Sequence, residues 1–469
     1  MRSAPELLSE ISLRSIWDDR SRHGVDLVKK FKGSRSKHGG ELLHIKKRRK
    51  MRKFAKERRR AALALGSKTK GLDKKLRKAT RRLDEVVSTY LQAIQLSLLE
   101  PTFRLRVTSG PAVLVPVKPT YRLKSVGFDV TFFASRILQH DISTAFELRQ
   151  TGRTELVRAL RSAVEGPWPK TIVRADVASF YESVPHDQLL AMVDSNPNLS
   201  SLSKKWIHQI VESFGALSVP RSRVGLPRGV GPSAPLAEAY LSQFDQIFSN
   251  RKECVYYARY VDDVVAVMAP TEDHDAPKAG YLALMKDALS SIGLSLSSDP
   301  AKVSEQTLRK GSAVTHGSVD ILGYSVRHDA ANGAVVTDFS LKRLRRIYAR
   351  IDRTFDVYER SHSKHGQSAK LLELRVRFLT SNTRLINSKR DAFVGIKFSN
   401  PLITRTNGLQ SLDRLLTRWI AKLAAGGTAA GVVDRLRKHG FRAGFDEVRY
   451  VRFSDLEWRQ ITSAWRDLV

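Results

Sequence analysis

Apolar residues recur at helical spacing through the first hundred positions. Leu72, Leu76, Leu83, Val87, Leu91 and Ile94 fall near one face, and Lys and Arg fill the others from Lys74 to Arg82. The pattern predicts a basic arm or helical pair. From Pro101 to Arg122 the texture changes, with Val107, Val113, Val115 and Val117 broken by Gly110, Pro111, Pro116 and Pro119, which predicts short strands and turns. Helical spacing returns from Phe132 to Val164 and carries Arg136, Arg149, Arg153, Arg158 and Arg161.

The period then shortens to that of strands. Thr171-Ile172-Val173-Arg174-Ala175 reads as a strand ending on Asp176, with the next helix beginning near Pro185-His186-Asp187. Val255 to Tyr260 and Val264 to Met268 are β-rich runs separated by Val261-Asp262-Asp263, which predicts a hairpin with carboxylates at its tip. Tyr281 to Leu296 reads as helix and then extended chain. Ile321 to Val326 and Gly333 to Thr337 flank Asn332-Gly333, a strong turn dipeptide. After Ser340 helix dominates, with Leu341, Leu344, Ile347, Ile351 and Phe355 forming one apolar stripe.

Charge alters this picture more than composition does. Hydrophobic residues make up 42% of the 469 positions, enough for a folded core, but 81 Lys and Arg face 47 Asp and Glu, a net charge of +34. Between Lys46 and Arg82 nineteen basic residues meet only Glu57 and Asp73. That segment holds half of the net charge, so it is read as a polyanion-binding surface rather than an inert one. The single cysteine, Cys254, allows no disulfide within the chain. Charged residues interrupt the apolar positions from Met1 to Trp17, which predicts neither a signal peptide nor a membrane anchor, and the expected location is cytoplasmic.

Two adjacent aspartates in a turn are weak evidence, because Asp favours turns for local reasons. A second strand that also ends in an aspartate, Asp176, changes the balance. Three carboxylates at strand ends can converge on one sheet edge and hold two Mg²⁺, the arrangement that nucleotidyl transfer uses. Asp176-Val177-Ala178-Ser179-Phe180-Tyr181, then Gly225-Leu226-Pro227-Arg228-Gly229 with Ser233 and Leu236, Tyr260-Val261-Asp262-Asp263, Lys302 and Leu322-Gly323-Tyr324 follow one another along the chain. In order and spacing this series resembles the palm motifs of reverse transcriptases.

The resemblance implies an α+β fold of the reverse-transcriptase right-hand type, with fingers and an antiparallel palm sheet. Expected blocks are a basic helical region at 1–110, fingers and palm at 111–330, and a helical thumb region at 331–469. It implies catalytic roles for Asp176, Asp262, Asp263 and Lys302, the lysine being a proton donor to pyrophosphate or, on its own residues, an exposed loop lysine. Metal ligands would be Asp176, Val177, Asp262 and Asp263, with two Mg²⁺, or Mn²⁺ in their place. Nucleotide contacts would come from Tyr181, Val177, Arg149, Arg153, Pro227 and Gly229, with Tyr181 as the ring that excludes a ribose 2′-hydroxyl and so selects dNTPs. The usual glutamine after Leu-Pro is here Arg228, read as a template-phosphate contact or a surface salt bridge, and the usual asparagine of the next helix is Glu238.

Ser233 to Glu238, Arg375 to Leu385 and Val394 to Asn400 resemble bacterial defence-associated reverse transcriptases, in particular the smaller first polymerase of type 3 systems. That resemblance implies antiphage defence, a non-coding RNA template copied into short or repetitive DNA, a second reverse transcriptase as partner, an oligomer and no membrane. RNA contacts are expected at Lys46, Lys47, Arg48, Arg49, Arg228 and Arg384, with Asn382, Asn387, Lys389 and Arg390 near the last. The competing readings are a retron-like or group II intron-like enzyme and a non-catalytic RNA-binding scaffold.

Overall fold

The computed structural model describes residues 7–22, 25–32, 36–110, 118–149, 151–269, 280–309, 316–329, 332–361, 367–385, 392–465 and 468. The chain folds into two compact units that interleave along the sequence. The first is built from Met1–Arg149, Ser179–Gln243 and Ser291–Leu294, the second from Gln150–Ala178, Phe244–Ser290 and Ser295–Val469. Val113, Val115 and Val117, like Asn387, Lys389 and Arg390, lie outside the described residues.

In the first unit the basic segment forms two long helices, Gly39–Ala64 and Lys70–Leu99. Leu83, Val87, Tyr90, Leu91, Ile94 and Leu98 are buried on the second of these, so the apolar stripe becomes a packed face and the cations stay outside. Tyr90 packs edge-on against Trp17 at 5.6 Å and Phe133 at 6.4 Å. The fully buried Asp129 accepts from the hydroxyls of Ser36 and Tyr90 and the backbone amide of Lys37, which satisfies a carboxylate that would otherwise be costly to bury. Strands β1 (Arg106–Ser109) and β2 (Tyr121–Lys124) pair antiparallel, followed by the helices Phe128–Ala145, His186–Ser195 and Ser201–Gly215.

In the second unit an antiparallel sheet runs β4-β5-β3-β6, with β3 at Lys170–Asp176, β4 at Cys254–Tyr260, β5 at Asp263–Met268 and β6 at Ser304–Leu308. β3 has neighbours on both sides and is buried along nearly its whole length, which is why a Thr-Ile-Val run reads as continuous rather than alternating. A second sheet, β7 (His316–Ile321), β8 (Tyr324–Asp329) and β9 (Val335–Phe339), is also antiparallel. The run Ile321 to Val326, expected as one strand, is instead cut by a turn. Leu322 and Gly323 take positive φ of 49° and 82°, a backbone that reverses β7 into β8.

Both sheets and the helices Arg153–Val164, Leu341–Glu359 and Asn407–Ala425 share one apolar core that includes Ile172, Val265, Tyr324, Phe355 and Leu412. A short pair, β10 (Asn382–Arg384) and β11 (Phe393–Gly395), follows the helix Gln367–Leu379. No described helix is long and apolar enough to cross a membrane.

Two helical glycines in this unit make a paired test. A Cβ at Gly444 would overlap the carbonyl oxygen of Thr380, whereas one at Gly431 meets only the flexible tip of Arg435 at 3.7 Å. Gly444→Ala should lower stability by about 1–3 kcal/mol, and Gly431→Ala should leave it equal or slightly raised. Thermal unfolding of the two variants beside the parent checks both signs.

Candidate active site

The hairpin between β4 and β5 turns on two residues, Val261 and Asp262, because Asp263 already belongs to β5 and stands opposite Tyr260. Val261 sits at φ 62°, a left-handed backbone that a β-branched residue rarely takes, so the tip needs outside support. Arg259 supplies it. Its guanidinium donates to the Val261 carbonyl at 3.0 Å and pairs through Nε and Nη2 with Asp245 at 2.8 and 2.7 Å. The hydroxyl of Tyr257 donates to the same Asp245 carboxylate at 2.6 Å. The tip is thereby fastened to the helix Ser233–Ser249.

On the neighbouring strand β3 ends at Asp176, which lies directly opposite Asp263 in the antiparallel register. Past that pair the chains remain tied by backbone bonds from Val177 N–H to the Asp262 carbonyl at 3.1 Å and from Ser297 N–H to the Asp176 carbonyl at 2.7 Å. Two cations lie against the carboxylates. Lys302 Nζ donates to Asp176 Oδ2 at 2.6 Å, and Arg174 Nη2 donates to Asp263 Oδ1 at 3.2 Å while its Nη1 reaches the Ala301 carbonyl at 2.9 Å.

Burial, and then the nearby charges of Asp176 and Asp263, raise the pKa of Asp262 above the ordinary carboxylate value. The bond to Asp176 raises that of Lys302, so its ammonium stays charged. Among the described residues no three His, Cys, Asp or Glu side chains form a ready-made metal cage. What the edge offers is carboxylate oxygen alone, the donor type that suits Mg²⁺, an ion that takes few protein ligands and completes its shell with phosphate and water. The donor set fits the ion on those terms.

The other expected residues divide between the units. In the first, Tyr181 stands on the short helix Phe180–Ser183, and the loop of Pro227, Arg228 and Gly229 is strapped to it. The Leu226 amide donates to the Tyr181 carbonyl at 2.5 Å, and the Arg228 guanidinium lies 5.0 Å from the Tyr181 ring centre. Arg228 also forms a two-pronged ion pair with Glu182 at 2.7 and 2.9 Å. Burial works against that carboxylate, but Arg228 and Lys118 hold its pKa below the usual range. Gly225 and Gly229 take positive φ of 100° and 84°, which explains two of the loop's glycines.

Arg149 is exposed beyond the helix Phe128–Ala145, and Lys46 and Lys47 are exposed on Gly39–Ala64. Arg48 is half-buried there, and Arg49 pairs with Asp26 at 2.7 Å. In the second unit Arg153 stands over the Tyr324 ring at 5.1 Å, beside the Gly323 turn, with Nε and Nη2 buried and lacking a hydrogen-bond partner. Arg384 lies on β10 over Phe393.

Three residues at the site were given no role by sequence: Arg174, Asp245 and Arg259. Arg174 was within reach, since two steps along a strand return to the same face and put it beside Asp176. The Asp245–Arg259 pair joins a helix to a strand, and no period marks it. Arg259 is 4% exposed at its side chain, so removing Asp245 takes away the carboxylate that two of its nitrogens engage and leaves a buried charge less well compensated. Asp245→Ala should cost about 3 kcal/mol of stability and lower kcat for nucleotide incorporation more than it changes KM, which chemical denaturation and steady-state kinetics would measure.

Comparison with known proteins adds a family to this geometry. Residues 130–326 match the family model described as reverse transcriptase (RNA-dependent DNA polymerase). No curated protein matches the chain. Among solved structures, telomerase from Candida albicans with a fragment of telomeric RNA is similar over 75% of this chain at 11% identity and a TM-score of 0.32, and this chain spans 59% of its length. Apo telomerase from Candida tropicalis is similar over 75% of this chain and 71% of its own at 12% identity and a TM-score of 0.33. The stretch that resembles a reverse transcriptase domain contains Asp176, Asp262, Asp263 and Lys302.

Proposed function

We propose that the chain copies a dedicated non-coding RNA into short or repetitive DNA in antiphage defence, with Asp176, Asp262 and Asp263 as its metal-holding carboxylates. The observation that carries the catalytic reading is the register that sets Asp176 opposite Asp263 with Asp262 at the adjoining tip. Two Mg²⁺ held there, with the Val177 backbone beside them, would activate the primer 3′-hydroxyl and stabilise charge on the departing pyrophosphate. Lys302, charged and 2.6 Å from Asp176, is suited to give a proton to that leaving group.

Tyr181 is assigned to sugar selection, its ring backed by Arg228 and its carbonyl bonded to the Pro227 loop. Pro227 and Gly229 are candidate nucleotide contacts, and Arg149 and Arg153 candidate triphosphate contacts. The exposed lysines of Gly39–Ala64 suit a phosphate-rich partner, read here as the RNA. The defence role, the second reverse transcriptase and an oligomeric assembly rest on the flanking segments that resemble type 3 defence polymerases. A retron-like enzyme would instead leave a self-primed branched RNA–DNA product, and a scaffold would have no chemical use for three carboxylates.

Asp262→Ala should reduce dNTP incorporation on a primed RNA template by at least ~10²–10³-fold and leave RNA affinity within about twofold, because RNA binding rests on phosphate contacts elsewhere. Full incorporation by this variant overturns the catalytic assignment. Tyr181→Ala should raise the use of rNTPs relative to dNTPs, read as a ratio of kcat/KM values. Sequencing the nucleic acids that co-purify with the protein tests the biology, since defence on a dedicated template requires one RNA species and its complementary DNA.

A further inference from the structure

Three aromatic rings of the second unit lie on its surface in mutual contact. Phe393 on β11 is 51% exposed, Phe398 just after it 41%, and Tyr450 42%. Phe393 is the centre of the group, 5.1 Å from Phe398 and 6.2 Å from Tyr450 between ring centres. The backbone fixes the arrangement. β10 pairs with β11 on one side, and on the other the Asn382 amide donates to the Arg449 carbonyl at 2.7 Å while the Val451 amide donates to the Asn382 carbonyl at 2.8 Å. A single exposed ring needs no explanation, but a cluster held by a three-segment ribbon does.

The surroundings are cationic. Arg384, paired in register with Phe393, places its guanidinium 5.6 Å from that ring centre. Against Tyr450 opens a cavity of about 440 Å³ lined by Arg377, Arg435, Lys438 and Arg449, among others. Its one lining carboxylate, Glu373, is bonded to Arg435 at 2.7 Å, and Arg449 pairs with Glu447 at 2.9 Å, so the cations of the lining still outnumber the carboxylates that engage them. Rings offer stacking faces to unpaired bases, and arginines beside them take the phosphates that link those bases. A duplex has its bases already stacked and presents only edges and backbone.

We propose that Phe393, Phe398 and Tyr450 form a stacking platform for a single-stranded stretch of nucleic acid, with the neighbouring arginines and Lys438 on its backbone. The proposal deepens the RNA-copying reading and rests on it for the identity of the polymer. It adds the kind of strand bound and the rings that bind it.

The test uses the full chain, a labelled uridine-rich RNA of about twelve nucleotides and a blunt RNA duplex of the same length, a size matched to one compact binding surface. Phe393→Ala combined with Tyr450→Ala should weaken single-strand binding about tenfold or more, change duplex binding less than twofold, and leave the salt dependence unaltered because the cations remain. Phe393→Trp should keep single-strand affinity, a rescue that a merely structural role would not give. Single-strand affinity unchanged in the double variant overturns the platform, as does an equal loss for the duplex. A dimer of the parent that dissociates in the variant, seen by sedimentation, would assign the rings to a second copy instead. Primer extension on a short pre-annealed template reports separately on the polymerase reading, so either can fail while the other stands.

Discussion

Like charges set opposite each other across two strands are the constraint from which the rest of the site follows. The register of β3 against β5 puts Asp176 and Asp263 in direct opposition, where side chains stand about 5 Å apart. Near a protein surface such a pair repels by roughly 3 kcal/mol. The fold meets this with position and with charge. Position comes from β3, buried between two partners, which leaves the carboxylates no freedom to slide apart. Charge comes from Arg174 and Lys302, each bonded to one of the two. Asp262, at the tip, has neither cation as a direct partner, and its raised pKa follows from burial beside its neighbours.

That division of labour explains why support for the hairpin lies outside it. A two-residue turn with a β-branched residue at positive φ does not hold itself, and Arg259 carries the load to Asp245 on a helix. The carboxylates at the sheet edge are few. The side chains that keep them in place lie on two strands and at Asp245, near the end of a helix.

The strands of the site could be read from the sequence because their β-rich runs are long and the hairpin loop is short. The placement of Asp263 could not, since whether a residue ends a loop or begins a strand is settled by pairing with Asp176. The turn at Leu322-Gly323 was missed for a related reason: a β-branched and aromatic run looks like one strand until two positive φ angles divide it. In the basic helices the sequence revealed the charge but not which charges are engaged, and Arg49 and Arg59 turn out to be spoken for by Asp26 and Asp73. In the surface cluster Tyr450 lies more than fifty residues beyond Phe393 and Phe398, and the ribbon through Asn382 brings it to Phe393.

The interleaving of the two units has a consequence for how the protein is made. The first unit needs Ser291–Leu294 as well as Met1–Arg149, so its opening segment leaves the ribosome long before its last piece exists. At the ordinary pace of synthesis, about 5–20 residues per second, the wait from Arg149 to Leu294 is roughly seven to thirty seconds. During it a highly cationic pair of helices is already exposed to the polyanions of its surroundings, and whatever RNA is nearby has the first opportunity to meet it.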